Sequence, residues 1–189
     1  MNGLSIKFQE EYSAKIPALS LLNNLGWRYV SPDEALQQRA GKPDEVVLRE
    51  VLRQELSKRR FEFEGKTHAL SATSIDKLIT QLCSPVLNEG LLAANETLYN
   101  HMVYGIAVTE FVNGNKATPT IAIIDWHNID NNDFCYTEEM VVGRANGIDH
   151  RKPDIVCFFN GLPLVVIEPK RPDAQAHKGP TVKEGISQN

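Results

Sequence analysis

The sequence predicts an α/β protein in which a mixed β-sheet is flanked by helices and the N-terminal half is rich in helices. Apolar residues recur at helical spacing up to about residue 102, and segments with strand-like alternation follow from about residue 103. Helices that cover a sheet bury the apolar faces of both layers. We therefore expect one domain over residues 1–189, with a helical part over about 1–102 and the sheet over about 103–170.

Four segments of the first half predict helices. In "EEYSAKIPALSLLNNLGW", Pro17 either starts or kinks the helix, and Gly26 marks its end. The segment "KPDEVVLREVLRQELSKRR" has Pro43 suited to its first turn and the cations of residues 58–60 near its end. Two further helices, "SIDKLITQLCSP" and "VLNEGLLAANETLYNHM", are divided at Pro85.

The second half contains two hairpin patterns. "VYGIAVTEFV" and "TPTIAIIDW" flank Asn113-Gly114, a dipeptide typical of two-residue hairpin turns. After the strand pattern "FCYTEEMVV", two apolar arms flank Asn160-Gly161. In "DIVCFF" both alternating sets of side chains are apolar, which predicts a strand that is covered on both faces. We therefore expect Cys157 and Phe158 to be buried, and we also expect Trp126 to lie in the core.

The composition argues against several classes of protein. No apolar run approaches the roughly eighteen residues that a membrane span needs, and the N-terminus lacks a signal-peptide pattern. The three cysteines are widely spaced, which indicates a reducing compartment and argues against a disulfide framework. We therefore expect a cytoplasmic protein with no membrane partner. The net charge of −4 is not typical of a nucleic-acid binder, so such binding would need a local patch or a partner subunit.

Polar residues frame the apolar hairpin around Asn160-Gly161. Asp154 precedes the first arm, and Glu168 and Lys170 end the second. A plain two-residue turn would place Asp154 opposite Ile167, on the other face from Glu168. One extra residue, in the loop or as a bulge, would place Asp154 opposite Glu168, and all three polar groups would then converge.

Such a trio suits metal-dependent hydrolysis. Mg²⁺ prefers hard oxygen ligands, usually one or two carboxylates together with water and phosphate oxygens. Asp154 and Glu168 would supply the carboxylates, and Lys170 could hold the attacking water and offset charge in the transition state. The short motif alone more often marks an exposed Glu–Lys pair than a metal site, and a glycosidase-type carboxylate pair would leave Lys170 unexplained. Pro169 cannot donate to a sheet ladder, which predicts that this strand is an edge or leaves the sheet there.

The residues around the trio resemble a known family. Pro153-Asp154 and Glu168-Pro169-Lys170 look like the PD-(D/E)xK nuclease motif. "IIDWHNIDNNDF" (123–134) and "RKPDIVCFFNGLPLVVIEPKRP" (151–172) together resemble the N-terminal nuclease domain of type I restriction enzyme R (HsdR) subunits. The segments "IPALSLLNNLGW" and "KPDEVVLREVLRQEL" extend this similarity. The resemblance implies a restriction-endonuclease-like fold that cuts double-stranded DNA with Mg²⁺.

The resemblance also implies roles for individual residues. Asp154 and Glu168 would be catalytic metal ligands, and Lys170 would be the catalytic lysine. An acid of the first helix often completes such sites, and Glu11, or else Glu10, occupies that place. The alternative for this acid is a simpler role near the positive end of the helix dipole.

Residues expected to contact DNA come from the family resemblance and from their position beside the site. The resemblance implies that Gln188 is the glutamine of the QxxxY element that many relatives carry after the ExK strand, but the sequence does not include the tyrosine, so the element is incomplete here. Arg151 and Lys152 border the site and are expected to contact phosphates, whereas the cations of residues 58–60 are more typical of a solvated helix end. The acid-rich "DWHNIDNND" lacks the spacing of a calcium loop and predicts a loop capped by Asn and Asp side chains.

In this family the nuclease domain precedes two ATP-driven translocase domains. These residues contain no GxxxxGK[ST] phosphate loop, so we expect a fragment of a longer motor-nuclease subunit in which only the absent motor needs ATP. The implied partners are the methyltransferase and specificity subunits of a restriction-modification complex. The alternative function is a non-catalytic docking module with a nuclease fold that tethers the translocase to its partners and has no need of Mg²⁺.

Overall fold

The computed structural model describes residues 14–84, 88–143 and 149–169. These residues form an α/β fold, and none of the described helices is long and apolar enough to cross a lipid bilayer. The helices are α1 (Ile16–Asn24), α2 (Pro32–Gln38), α3 (Arg49–Lys58), α4 (Ala72–Cys83) and α5 (Leu91–Tyr104). The strands are β1 (Arg28–Tyr29), β2 (Arg60–Phe63), β3 (Lys66–Ala69), β4 (Ile106–Ala107), β5 (Glu110–Val112), β6 (Asn115–Ala117), β7 (Thr120–Ile121), β8 (Phe134–Glu138), β9 (Val142–Gly143), β10 (His150–Arg151), β11 (Ile155–Phe159) and β12 (Leu162–Ile167).

The central sheet has four strands in the order β1-β8-β11-β12. Strand β1 is parallel to β8, whereas β11 is antiparallel to both of its neighbours. The sheet is therefore mixed, as the sequence predicts. Strand β12 lies at the edge and ends at Ile167, which confirms the edge position expected from Pro169.

Strand β11 is buried on both faces. Cys157 packs in a cluster with Leu22 of α1 on one face. Val156 and Phe158 pack on the other face in a cluster that includes Leu48, the residue before α3. Cys157 is 2% exposed and Phe158 is 0% exposed, so the predicted two-sided burial is confirmed.

A further apolar cluster lies between α3, α4 and the short hairpins. It joins residues from both halves of the chain, including Leu52, Leu56, Leu78, Ile121, Ile123 and Leu162. Because Leu162 begins β12, this cluster anchors the turn end of the β11–β12 hairpin to the helices. The central sheet and the helical part therefore share apolar contacts rather than standing as separate cores.

Helices α1, α4 and α5 lie where the sequence predicts them. Pro17 stands in the first turn of α1, and a π-helical turn at residues 14–15 directly precedes this helix. Gly26 follows the end of α1 with a φ of 84° and donates its N–H to the carbonyl oxygen of Asn23 at 3.0 Å. Pro85, the predicted divider between α4 and α5, lies outside the described residues.

Helix α3 begins at Arg49, so the prediction that it starts near Pro43 is wrong. The backbone between these residues is bonded to other parts of the fold. The buried Arg39 guanidinium donates to two carbonyl oxygens of this segment at 3.4 and 2.9 Å. The N–H of Leu48 donates to the carbonyl oxygen of Gly161 at 2.8 Å. Tertiary hydrogen bonds thus replace the first helical turn.

The second half contains the predicted hairpin at Asn113-Gly114, with φ angles of 51° and 87° at the turn. The first half contains a hairpin that was not predicted, in which β2 and β3 meet at Glu64-Gly65 with φ angles of 51° and 71°. The segment "FEFEGKTHA" carries the alternation of such a hairpin, but the strong helical patterns on either side obscure it.

Candidate functional site

The β11–β12 hairpin combines a two-residue turn with a bulge. Asn160 and Gly161 form the turn, with φ angles of 51° and 83°. Beyond the turn the register shifts by one residue, and Leu164 is the extra residue on β12. After this shift Ile155 pairs with Ile167, which is the odd register that a shared polar site requires.

The bulge brings two acidic residues next to each other at the open end of the hairpin. The last strand pair is Ile155–Ile167, and one further step of the same register would set Asp154 opposite Glu168. Residues in this relation lie on one face, with Cβ atoms about 4.5–5.5 Å apart. The N–H of Asp154 donates to Oε1 of Glu168 at 3.3 Å, and both residues are half-buried. Lys170, the third residue of the predicted trio, lies outside the described residues.

Glu139, the residue after β8, is hydrogen-bonded to the backbone of Asp154. The N–H of Glu139 donates to the carbonyl oxygen of Asp154 at 3.0 Å. The carboxylate of Glu139 accepts hydrogen bonds from Lys15 Nζ at 2.7 Å and from Lys152 Nζ at 2.6 Å. The segment that leads into β11 is therefore bonded to both neighbouring strands.

The two ammonium groups control the titration of Glu139. The hydrogen bonds from Lys15 and Lys152, reinforced by their charges, lower the pKa of Glu139 to about 2. Burial opposes the charged form of Lys15, but its bonds to Glu139 and Glu138 raise its pKa above the ordinary value. Lys15 lies 3.1 Å from Glu138, so two acids and two ammonium groups balance in charge beside Asp154.

Helix α1 starts at the same end of the sheet as Asp154. Lys15 stands just before α1 and reaches the acids that end β8. The predicted third acid, Glu11, and its alternative Glu10 precede Lys15 and lie outside the described residues. The role of this acid stays a prediction.

The Asp154–Glu168 pair fits one kind of metal ion better than others. Among the described residues, no group of three or more His, Cys, Asp or Glu side chains is arranged to hold a metal. Zinc sites generally use three or four protein ligands, whereas Mg²⁺ commonly needs only one or two carboxylates. Two neighbouring, half-buried carboxylates are thus compatible with Mg²⁺, and the metal itself stays a proposal.

At the opposite end of the hairpin, Asn160 is 0% exposed and fully hydrogen-bonded. Its amide donates to the carbonyl oxygen of Ile123 and to Oδ1 of Asn132, both at 2.9 Å. Its Oδ1 accepts the N–H of Asp133 at 2.8 Å. Sequence reasoning used Asn160 only as a turn residue, because the Asn-Gly signal reports backbone conformation and not the partners of the side chain.

The acid-rich loop after β7 is capped by its own side chains, as predicted. The carboxylate of Asp125 accepts hydrogen bonds from the N–H groups of His127 and Asn128 and from the side-chain amide of Asn131, at 2.8–3.1 Å. The hydrogen bond from Asn131, followed by those from the backbone, lowers the pKa of Asp125. This acid therefore organises the loop.

Trp126 lies at the surface, so the prediction that it belongs to the core is wrong. Its side chain is 50% exposed and lines a shallow groove with Tyr99 and Leu164. Its Nε1–H donates to the carbonyl oxygen of Met102 in α5 at 2.8 Å, which keeps the ring on the outside of the helix layer.

The residues expected to contact DNA have different surroundings. Arg151 is exposed and pairs with Val142 in a short two-stranded sheet. Lys152 is exposed and bonded to Glu139. Gln188 lies outside the described residues. Contact between any of these residues and DNA remains a prediction.

Comparison with known proteins identifies the family. A family model described as type I restriction enzyme R protein N terminus matches residues 7–189. The chain belongs to this family. It is 29% identical over 180 residues to the MjaIXP endonuclease subunit of Methanocaldococcus jannaschii, and this match covers 91% of the chain. It is 28% identical over 158 residues, or 82% of the chain, to the HindI endonuclease subunit of Haemophilus influenzae.

The names of both relatives assign them to type I restriction enzymes. The resemblance found in the sequence is thereby confirmed. The matched region spans only 16% of the first relative and 14% of the second. The activities of the whole relatives therefore come to this chain only as proposals.

Proposed function

We propose that this chain is the Mg²⁺-dependent endonuclease domain of a type I restriction enzyme R subunit and hydrolyses phosphodiester bonds of double-stranded DNA. The observation that supports this most directly is the one-residue bulge of β12, which pairs Ile155 with Ile167, so that the next residues, Asp154 and Glu168, are hydrogen-bonded neighbours. Without the bulge, the alternation of the strand would turn the two carboxylates to opposite faces. The names of the relatives as endonuclease subunits support the same function.

In this proposal Asp154 and Glu168 would hold the ion through their carboxylates, with Glu11 as a further oxygen donor. When bound, Mg²⁺ supplies Lewis-acid polarisation of the phosphate and lowers the pKa of a coordinated water. Lys170 acts without binding the metal, because its ammonium group offsets the negative charge that develops on the phosphate in the transition state. The hydrogen bonds to Asp154 keep its segment beside Glu168.

The DNA would approach across Arg151 and Lys152, which are exposed and directly precede Pro153-Asp154. A chain of net charge −4 provides little general attraction for a phosphate backbone. We therefore assign most of the DNA affinity and the choice of target to the methyltransferase and specificity subunits. ATP-driven translocation would belong to the remainder of a longer subunit.

The experiment uses the full-length subunit reconstituted with its partners. Lys170→Ala should reduce plasmid nicking by about 10²–10⁴-fold while ATP-driven translocation and metal binding persist, because a charge-stabilising group is lost and no ligand is removed. Glu168→Ala should lose nicking together with most of the Mg²⁺ affinity, because one oxygen ligand is gone. Glu96→Ala, which removes an exposed acid on α5, is the matched control.

Nicking by Lys170→Ala near the wild-type rate would show that Lys170 is a surface residue and that the motif match is coincidental. A wild-type complex that translocates DNA but whose R subunit binds neither Mg²⁺ nor Mn²⁺ would favour the docking module instead.

A further inference from the structure

The residue that follows β8 has a backbone conformation that is uncommon for a glutamate. Glu139 has a φ of 50°, in the left-handed region. This region is sterically unfavourable for a residue with a Cβ, so the surrounding contacts must maintain it. Glu138 pairs with Ile155, which places Glu139 one step outward, opposite Asp154. A strained residue thus lies directly across from one of the two acids of the candidate site.

Glu139 holds the Asp154 segment at two points. Its N–H donates to the carbonyl oxygen of Asp154 at 3.0 Å. Its carboxylate accepts from Lys152 Nζ at 2.6 Å, two residues before Asp154, and Pro153 between them has a fixed φ. The second carboxylate oxygen accepts from Lys15 Nζ at 2.7 Å, which links the same point to the start of α1.

We propose that Glu139 is a positioning residue for the nuclease site, holding Lys152, Pro153 and Asp154 in the place where the Asp154 carboxylate stays beside Glu168. This inference rests on the proposed function. Asp154 lies just outside β11, so its position depends on bonds such as the one from Glu139 and not on the sheet ladder alone. Functional groups must be held within about 0.5 Å of their working geometry, and their supporting contacts provide that restraint.

Glu139 itself is not a ligand in this proposal. Each of its carboxylate oxygens is occupied by an ammonium group. It also belongs to no group of three or more potential ligands among the described residues. Its removal should therefore weaken the affinity of the site for metal without removing an oxygen donor.

The test is the variant Glu139→Gln in the full-length subunit, titrated calorimetrically with Mn²⁺ in the absence of nucleotide and DNA. The loss of a group that orients a ligand typically weakens metal affinity about 10–100-fold. We expect a shift in this range with the stoichiometry unchanged. In the reconstituted complex, the Mg²⁺ concentration for half-maximal nicking should rise in parallel, and excess Mg²⁺ should restore nicking.

Lys152→Met should weaken the Mn²⁺ affinity to the same extent, because it removes the lysine partner of the Lys152–Glu139 contact. The double variant should bind Mn²⁺ no more weakly than the weaker single variant, since two changes to one interaction are not additive. Asp76→Asn is the matched control. It breaks the exposed Arg53–Asp76 ion pair (2.6 Å) on α3 and α4 with the same change in charge, and should leave the Mn²⁺ affinity unchanged.

Wild-type Mn²⁺ affinity in Glu139→Gln and in Lys152→Met would overturn the positioning role, even if their melting temperatures fall, while leaving the proposed function intact. Complete loss of the Mn²⁺ site in Glu139→Gln at high metal concentration would also overturn it, because Glu139 would then be a ligand. Absence of Mn²⁺ binding in the wild type would instead reject the proposed function, and the positioning role with it. If Glu139→Gln does not fold, Lys152→Met decides the question.

Discussion

The two ends of the β11–β12 hairpin differ in almost every physical property. At the turn end, Asn160 and Gly161 are buried, carry no charge and bond to the neighbouring loop and to the segment before α3. At the open end, Asp154 and Glu168 are half-buried, and the backbone N–H of Asp154 donates to the carboxylate of Glu168. The buried, hydrogen-bonded turn end stabilises the fold, whereas the open end sets two acidic residues side by side, an arrangement typical of a functional site.

The turn end also determines the geometry of the open end. A Cβ on Gly161 would meet the carbonyl oxygen of Leu48 at 2.5 Å and the backbone nitrogen of Leu52 at 2.9 Å. The turn thus packs tightly against the start of α3. The position of the turn determines which residues of β11 and β12 lie opposite each other. With the bulge at Leu164 included, this pairing brings Asp154 and Glu168 onto one face. A structural contact at one end therefore helps to determine which acidic residues are neighbours at the other.

The largest expected effect concerns the strand that connects the two ends. Phe158→Ala should lower the free energy of unfolding by about 3–5 kcal/mol, because the fully buried ring leaves a cavity. Urea unfolding of the chain measures this loss. A loss below about 1 kcal/mol would mean that β11 is not part of the core.

At the turn end, Asn160→Ala should lower the free energy of unfolding by about 2–3 kcal/mol, because buried partners of its amide lose their hydrogen bonds. Asn113→Ala is the control, since Asn113 occupies the same turn position with the same φ of 51° but is exposed. It should cost about 1 kcal/mol. Equal losses in the two variants would show that backbone conformation, and not the buried amide, makes the turn end stable.

At the open end, Asp154→Asn should change the free energy of unfolding by less than about 1 kcal/mol, or raise it, because it removes one of two adjacent negative charges. Urea unfolding without divalent metal tests this. A loss comparable to that of Asn160→Ala would make Asp154 a structural residue and remove the contrast between the two ends.

The smallest effect concerns Glu139. Its folded-state pKa of about 2 is below its ordinary value of 4.5, so its ion pairs contribute stability above about pH 4.5 and lose it as the pH falls toward 2. Its side chain is 47% exposed, so solvent screening limits the contribution to less than about 1 kcal/mol. The difference in unfolding free energy between wild type and Glu139→Gln should shrink between pH 5 and about pH 2. A constant difference would mean that the ion pairs add no stability.

Features coded by neighbouring residues were predictable from the sequence. The Asn-Gly turns, the doubly buried β11 and helices α4 and α5 depend on local spacing and composition, which act over a few residues. The register needed for a shared site could be stated as a condition, but the position of its bulge could not. The bulge at Leu164 follows a turn that packs against α3, and this contact between distant parts of the chain leaves no local sequence pattern.

Features fixed by tertiary contacts were missed. The start of α3 at Arg49 follows from bonds made by Arg39 and Gly161 to the preceding segment. The role of Glu139 gave no sequence signal, because "TEEM" marks neither a left-handed residue nor its two lysine partners. The roles of Asp154 and Glu168 came from a family resemblance, since a short acid-lysine motif does not distinguish a metal site from a surface pair.

The central claim, that Asp154 and Glu168 share one divalent ion, is tested most directly by calorimetric titration of the full-length subunit with Mn²⁺, without nucleotide or DNA. We expect one site in the wild type and the loss of most of its affinity in both Asp154→Asn and Glu168→Gln, with Glu96→Ala unchanged. Wild-type affinity in either Asp154→Asn or Glu168→Gln would contradict the claim, because an ion that both carboxylates bind should be held more weakly when one of them is removed.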